Sequence, residues 1–252
     1  MVVRGKILGM NIKEKQIIDN FLNLTSDFIG SGYKRINIDS IEVKEEPVQI
    51  LISKEVSIDL TDDSIEKISE EIKICKNCSL GNLRKNAVPG EGVMQPLVMV
   101  IGEGPGADED SQGRPFVGKA GQLLDKMLSS INLSRTTNAF IANVVKCRPP
   151  GNRDPLPVES SACAHFLKRQ ITQLKPKYIL AAGRIAAQAL MNTKEPMGSM
   201  RGKILELQVG EETYPLIVTF HPSALLRSEE NKRPAWEDLK FLRSKLEEIS
   251  GE

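Results

Sequence analysis

The pattern of hydrophobic and polar positions divides the chain into two unequal regions. Near its start, residues 12–29 carry apolar side chains at near-helical spacing, and residues 35–63 are short alternating pieces with an acidic cluster. We interpret residues 35–63 as a linker, or as a segment that is ordered only through contacts. A further helix is predicted from Ser64 to Ile74, with Ser64 as its cap. Together these pieces predict an N-terminal extension over residues 1–72.

The remaining residues, 73–252, alternate between continuous apolar runs, which are typical of buried strands, and amphipathic helices. The predicted strands cover residues 97–101, 139–145, 178–182 and 214–220, and the predicted helices cover residues 120–131, 159–174, 183–190 and 234–249. Such alternation implies right-handed crossovers between parallel strands. The sequence therefore predicts an α/β domain with three αβα layers, in which helices cover a central four-stranded parallel sheet.

Three unusual segments each follow a predicted strand: residues 102–106, 143–150 and 221–227. Ligands of open parallel sheets bind at the carboxyl ends of the strands, so we expect these segments to form the site. The glycine-rich loop over residues 102–106 can present backbone N–H groups to an anion or a carbonyl, and it lacks the Gly-Lys-Ser/Thr of a Walker loop. The carboxylate of Glu103, the amide of Asn143 and the imidazole of His221 predict a site for a small polar ligand.

Four cysteines suggest a metal site. Cys75 and Cys78 form a C-x2-C pair, and Cys147 and Cys163 follow with a wide spacing. In a chain without a secretory signal, this set favours metal binding over disulfides. The spacing leaves structural zinc and an iron–sulfur cluster both open, with four unrelated buried thiols as the third alternative.

Composition and charge narrow the class of protein. The chain has 252 residues, of which 40% are hydrophobic, and this excludes collagen, a coiled coil and a disulfide-stapled secreted domain. No apolar run approaches the length of a membrane helix and no secretory signal is present, so we predict a cytoplasmic protein with no membrane contact. Residues 1–72 carry a net charge of −5 and the rest of the chain +6, which is compatible with a polyanionic partner.

Longer motifs make the chain resemble the family 4 uracil-DNA glycosylases, the iron–sulfur branch of that superfamily. The matching stretches are GEGPGADED at 102–110, GRPFVGKAGQLLD at 113–125, NVVKCRPPGNRDP at 143–155 and HPSALLR at 221–227. The resemblance covers about residues 73–249. It implies a base-excision repair enzyme that flips uracil out of double- or single-stranded DNA and hydrolyses its N-glycosidic bond. It also implies a [4Fe–4S] cluster bound by Cys75, Cys78, Cys147 and Cys163.

The resemblance further implies roles for single residues. Phe116 would stack on the flipped base, Asn143 would read its edge, and Glu109 would lie near C5 and exclude the methyl group of thymine. His221 would donate a hydrogen bond to uracil O2 as the bond breaks, and Glu103 would orient water or stabilise the sugar cation. Contacts to uracil or to the adjoining phosphate are implied for the backbone of Gly102, Gly104, Pro105 and Gly106.

DNA contacts are implied as well. Leu225 and Leu226 resemble an apolar wedge that enters the minor groove, and the implied phosphate contacts are Lys119, Arg148 and Arg227.

Three alternatives stay open. A related branch crosslinks to DNA through a histidine-bearing loop, and the absence of histidine from residues 131–139 favours turnover. A glycosylase with a broader base choice, such as hypoxanthine or mismatched thymine, is the second alternative. The third is a non-catalytic iron–sulfur or zinc DNA-binding module, which would not need Glu103, Asn143 and His221 together. The N-terminal extension could dock a replication or repair partner, although no motif names one.

Overall fold

The structure is a computed structural model that describes residues 63–251. The predictions for residues 12–29 and for most of the linker lie outside the described residues. The strands are β1 (Glu91–Gly92), β2 (Val98–Gly102), β3 (Ala139–Asn143), β4 (Tyr178–Ala182), β5 (Leu205–Val209) and β6 (Glu212–Thr219). The helices are α1 (Ile65–Ile74), α2 (Leu80–Leu83), α3 (Ala107–Gln112), α4 (Lys119–Ser129), α5 (Pro157–Leu174), α6 (Arg184–Met191), α7 (Met197–Met200), α8 (Pro222–Arg227) and α9 (Lys232–Ser250).

The sheet has the strand order β1-β3-β2-β4-β6-β5. Its four central strands, β3, β2, β4 and β6, pair in parallel, which confirms the predicted α/β class with a four-stranded parallel centre. The two edge strands, β1 and β5, pair antiparallel and were not predicted. Strand β1 has only two residues, and β5 alternates between inward and outward side chains, so neither forms a continuous apolar run.

Two hydrophobic clusters cover the two faces of the sheet. Along β2, Met99 and Ile101 pack into one cluster with residues of α1, α5 and α6. Val98 and Val100 pack into the other cluster with residues of α4 and α9. Because alternate side chains of the central strands meet helices on opposite faces, these strands are apolar throughout. Within residues 63–251, no helix has the length and apolar character to cross a bilayer.

Helix α1 packs with this α/β core although most of it precedes residue 73. The Ser64 hydroxyl accepts a hydrogen bond from the Lys67 N–H at 3.2 Å, which confirms the predicted cap. The buried isoleucines of α1 join the cluster that also contains α5. On α5, the Arg169 guanidinium donates to the carboxylates of Asp63, at 2.8 Å, and Glu71, at 2.5 Å. These contacts tie α1 to the sheet through both apolar packing and ion pairs.

Candidate active site

Loops at the carboxyl ends of β2, β3 and β6 enclose a cavity of about 380 Å³. The structure thus brings together the three segments that follow these strands. The implied site residues that line the cavity are Glu103, Gly104, Pro105, Gly106, Glu109, Phe116, Lys119, Asn143, His221 and Arg227. The remaining ones, Gly102, Arg148, Leu225 and Leu226, do not line it.

Gly102 shapes the cavity by leaving space. It pairs with Asn143 across β2 and β3. A Cβ atom on Gly102 would lie 2.5 Å from both the Phe116 ring and the Asn143 Oδ1 atom. Only a residue without a side chain therefore lets this ring and this amide approach the strand end together.

Glu109 joins the glycine-rich loop to the loop that carries Phe116. One carboxylate oxygen accepts from the Gly106 N–H at 3.0 Å. The other accepts from the N–H groups of Val117, at 2.9 Å, and Gly118, at 3.0 Å. Its side chain therefore lines the cavity wall and also holds two loops in register, a role that the sequence did not indicate.

Phe116 adopts a left-handed backbone conformation, with φ of 51°. This is unfavourable for an aromatic residue and persists only where the surroundings hold it. The Arg135 guanidinium does so, because it donates to the carbonyl oxygens of Pro115, at 2.8 Å, and Phe116, at 3.0 Å. Asp125 in turn binds Arg135 at 2.8 Å. Sequence reasoning missed Arg135, since nothing local marks an arginine in a loop as the support of a distant ring.

Asn143 ends β3 and is only 1% exposed. Its Oδ1 atom is buried and has no hydrogen-bond partner within the described part of the chain. A buried acceptor of this kind is costly unless a ligand supplies the missing donor. The main-chain carbonyl of Asn143, by contrast, accepts a hydrogen bond from the Lys146 ammonium at 2.9 Å.

His221 lies between β6 and α8 with its ring against the cavity. The ring centroid is 5.5 Å from that of Phe116. The Ser223 N–H donates to Nδ1 at 3.2 Å, which places the proton of the neutral ring on Nε2. Burial lowers the pKa of His221 to about 4, with a further lowering from the charge of Arg227. At neutral pH the site therefore holds an uncharged imidazole with an N–H donor.

Glu103 lies half-buried in the cavity wall. Burial, and then the charge of Asp154, raise its pKa to about 7, while the charges of Arg184 and Arg227 act in the opposite direction. Asp154 itself pairs with Arg184 at 2.9 Å. Near pH 7 the Glu103 carboxyl is thus divided between its protonated and ionised forms, which suits proton transfer or charge stabilisation.

The residues implied in DNA contacts differ in their exposure to solvent and in their contacts. Lys119 and Arg227 are exposed at the cavity mouth, and Arg148 donates to the Asn152 side chain at 2.7 Å. Leu226 is 53% exposed, whereas Leu225 is 3% exposed and packs in the cluster that contains α4 and α9. Of the two leucines implied as a wedge, only Leu226 therefore faces solvent in this structure, because α8 turns Leu225 towards the core.

All four cysteines line a second, smaller cavity between α1, α5 and the segment after β3. They form no disulfide with one another, and Cys147 and Cys163 are buried. Burial raises the pKa of Cys163 to about 11 and also raises that of Cys147, whose sulfur accepts from Arg84 at 2.8 Å. Among the described residues, no group of three or more His, Cys, Asp and Glu side chains is arranged to hold a metal ion. The four thiols around one cavity are of the ligand type that both structural zinc and iron–sulfur groups take.

Comparison with known proteins identifies the family. The model of the uracil DNA glycosylase superfamily matches residues 89–240. The type-4 uracil-DNA glycosylase of Pyrobaculum aerophilum is 48% identical over 167 residues, which are 65% of this chain and 85% of that protein. The chain belongs to the type-4 uracil-DNA glycosylase family. The resemblance predicted from the motifs is thereby confirmed.

Further relatives agree with the type-4 family. The type-4 uracil-DNA glycosylase of Sulfurisphaera tokodaii is 42% identical over 185 residues, covering 72% of this chain and 84% of that protein. The one from Thermotoga maritima is 41% identical over 186 residues, covering 73% and 95% respectively. A type-5 uracil-DNA glycosylase of Pyrobaculum aerophilum is similar over a shorter stretch, at 31% identity over 118 residues.

Proposed function

We propose that this protein excises uracil from DNA, releasing the free base and leaving an abasic site for base-excision repair. The proposal rests on the buried Oδ1 of Asn143, which has no hydrogen-bond partner among residues 63–251. It lines a cavity shared with the neutral imidazole of His221 and the carboxyl of Glu103. The names and identities of the type-4 relatives support it.

Recognition of uracil follows from the hydrogen-bond pattern of an amide. The Asn143 Oδ1 accepts from uracil N3–H, and its NH₂ donates to uracil O4. Cytosine carries the opposite pattern at both positions, and each mismatched buried group costs about 1–3 kcal/mol. Phe116 stacks on the flipped base. We propose that Glu109, held by the three N–H groups described above, lies beside C5 and excludes the methyl group of thymine.

Cleavage places negative charge on uracil and positive character on the sugar. We propose that His221 donates from Nε2 to uracil O2, where this charge develops. Burial keeps the ring neutral, so its N–H is present without the cost of a buried cation. Ionised Glu103 either accepts a proton from the attacking water or stabilises the oxocarbenium-like sugar. The backbone of the glycine-rich loop, from Gly104 to Gly106, borders the same space and contacts the base or its phosphate.

The DNA would be held around the cavity mouth. Flipping a nucleotide costs a few kcal/mol, and we propose that Leu226 fills the space left in the stack. Lys119, Arg148 and Arg227 would contact phosphates on double- or single-stranded DNA.

We further propose a cytoplasmic location, and a repair or replication partner for the N-terminal extension. Because α1 packs on the core, we propose that the catalytic domain reaches back to Asp63.

We also propose that Cys75, Cys78, Cys147 and Cys163 hold a [4Fe–4S] cluster. When bound, it supplies iron–thiolate links that tie the end of α1 to the segment after β3 and to α5. Structural zinc is the second candidate. These links would be structural, since the cysteines line a cavity other than the one that holds Glu103, Asn143 and His221.

The experiment is a uracil-release assay. Purified protein is incubated with a single-uracil duplex and, in parallel, with a matched thymine duplex, and abasic sites are cleaved with alkali. We expect cleavage at uracil only. We expect Asn143→Ala and His221→Ala each to lower the single-turnover rate by about 100-fold or more, with duplex affinity largely retained.

The matched control is Lys240→Met, on the exposed face of α9, which should leave the rate unchanged. Unchanged turnover in the folded Asn143 and His221 variants would contradict the proposal. Binding without any cleavage by the cluster-loaded protein would favour the crosslinking relative or the non-catalytic DNA-binding module.

A further inference from the structure

Lys146 is the largest fully buried side chain in the described part of the chain, with 1% exposure. Its ammonium donates to the main-chain carbonyl of Asn143 at 2.9 Å and to Gln170 Oε1 at 2.6 Å. Gln170 in turn donates to the carbonyl of Pro89 at 2.9 Å. A buried ammonium without such partners would be strongly destabilising, so this chain of contacts is a fixed part of the interior.

The same residue borders the cysteine cavity. Lys146 immediately precedes Cys147 and lines the same cavity as Cys163. No carboxylate within residues 63–251 forms an ion pair with Lys146. The sulfurs of Cys147, the next residue, and of Cys163 line the same cavity as Lys146. Ligated thiolates would place negative charge beside the ammonium.

Asn143 faces the base cavity on the other side. Its Oδ1 atom has no partner in the described residues, so the orientation of the amide depends on the packing around it and on the position of its own backbone. The backbone is paired with Gly102 on one side, and its carbonyl is held by Lys146 at the strand end.

We propose that Lys146 is a positioning residue that fixes the Asn143 peptide, and with it the uracil-reading amide, and that it links this amide to the cysteine cluster. This inference rests on the proposed function. On this proposal the cluster would hold the fold together and would also help to position Asn143, because the segment that binds the cluster carries Lys146.

The test is a double-mutant cycle in the cluster-loaded, full-length protein. The variants are Lys146→Met, Asn143→Ala and the combination, with Lys240→Met as the matched control. Single-turnover excision of uracil, affinity for an undamaged duplex, and visible absorbance of the cluster are measured for each. We expect Lys146→Met to lower excision by roughly 10- to 100-fold because it leaves the Asn143 carbonyl unpaired, with duplex affinity retained.

In the Asn143→Ala background, the same Lys146 substitution should lower excision by no more than about twofold, because residues that act through one another are not additive. Lys146→Met should also move the midpoint potential of the cluster to more negative values, since a positive charge beside it is lost. If Lys146 only supported the fold and had no link to the Asn143 amide, the two substitutions would lower the excision rate additively in free energy.

The outcomes separate the two proposals. If Asn143→Ala excises uracil normally, the proposed reading of uracil fails, whatever Lys146 does. If Asn143→Ala is impaired but the cycle is additive, or the midpoint potential does not move, the inference on Lys146 is overturned. If Lys146→Met does not take up the cluster, Gln170→Met replaces it in the cycle. Gln170→Met removes one acceptor of the ammonium, and Gln170 lines neither the cysteine cavity nor the base cavity, so a non-additive loss is again expected.

Discussion

Glu103 should set the pH dependence of uracil excision. Burial, followed by the charge of Asp154, raises the pKa of Glu103 from 4.5 to about 7. If the ionised carboxylate is the active form, the rate follows its ionised fraction. This fraction falls tenfold per pH unit below the pKa, so we expect excision at pH 5 to be roughly 100-fold slower than at pH 8. His221, with a pKa of about 4, stays neutral over this range, so it adds no second transition to the pH–rate profile.

The assay is the single-turnover excision rate at excess enzyme, from pH 5 to pH 9 at constant ionic strength. Glu103→Gln should give a low rate with no midpoint near pH 7. Asp154→Asn should move the midpoint to lower pH, since the charge of Asp154 helps to raise the pKa of Glu103. Glu247→Gln, on the exposed side of α9, is the matched control and should leave the profile unchanged. A flat wild-type profile, or a Glu103→Gln variant with the wild-type midpoint, would refute the reasoning.

The same pKa shift has a consequence for stability. Between pH 4.5 and 7 the native state binds more protons than the unfolded chain, so the free energy of unfolding falls as the pH rises through this window. A shift of this size corresponds to about 3 kcal/mol before screening, and contact with water reduces it to roughly 1–2 kcal/mol. We expect Glu103→Gln to be more stable than wild type by this amount at pH 8 and equal to it at pH 4, measured by denaturant unfolding. Equal stability at both pH values would show that Glu103 is not desolvated.

Three other predictions concern the surroundings of the site. Arg135→Met should slow excision at least tenfold, because it frees the strained loop of the stacking ring, and Arg135→Lys should restore part of the rate. Wild-type rates in both variants would show that the guanidinium is dispensable. Deletion of residues 1–62 should leave excision on short duplexes nearly normal, whereas deletion of residues 1–74 removes α1 and should prevent stable folding, as judged by thermal unfolding. Leu226→Ala should lower excision on duplex more than on single-stranded DNA, without changing stability. Leu225→Ala should instead lower the free energy of unfolding by about 2–5 kcal/mol. The reverse pattern would indicate that Leu225 is the wedge.

The central sheet could be predicted from the sequence because its signal is local. Each of its four strands is buried on both faces, so each appears in the chain as an apolar run, and the predicted run 97–101 differs from β2 by a single position. The Ser64 cap is local in the same way, since it contacts a residue three positions away. The edge strand β1, two residues long, has no such signal, and its pairing with β3 is visible only in the fold.

The residue types of the candidate site were also evident in the sequence, because an amide, an imidazole and a carboxylate follow three parallel strands that end at one edge. Only the tertiary structure decided what surrounds them. The pKa of Glu103 depends on Asp154 and Arg184 from other loops, and the exposure of Leu226 but not of Leu225 depends on how α8 packs.

Lys146 shows most clearly which properties come from the sequence and which come only from the tertiary structure. In the sequence it is one lysine among many, next to a cysteine in a basic segment. In the fold its ammonium is buried and joins a main-chain carbonyl of the base cavity to Gln170, on a helix further along the chain. The sequence determined the strands and the reactive groups, because periodicity and residue chemistry are properties of short segments. Burial, pKa and positioning were decided by the tertiary structure, because they arise from contacts between segments that are distant in the chain.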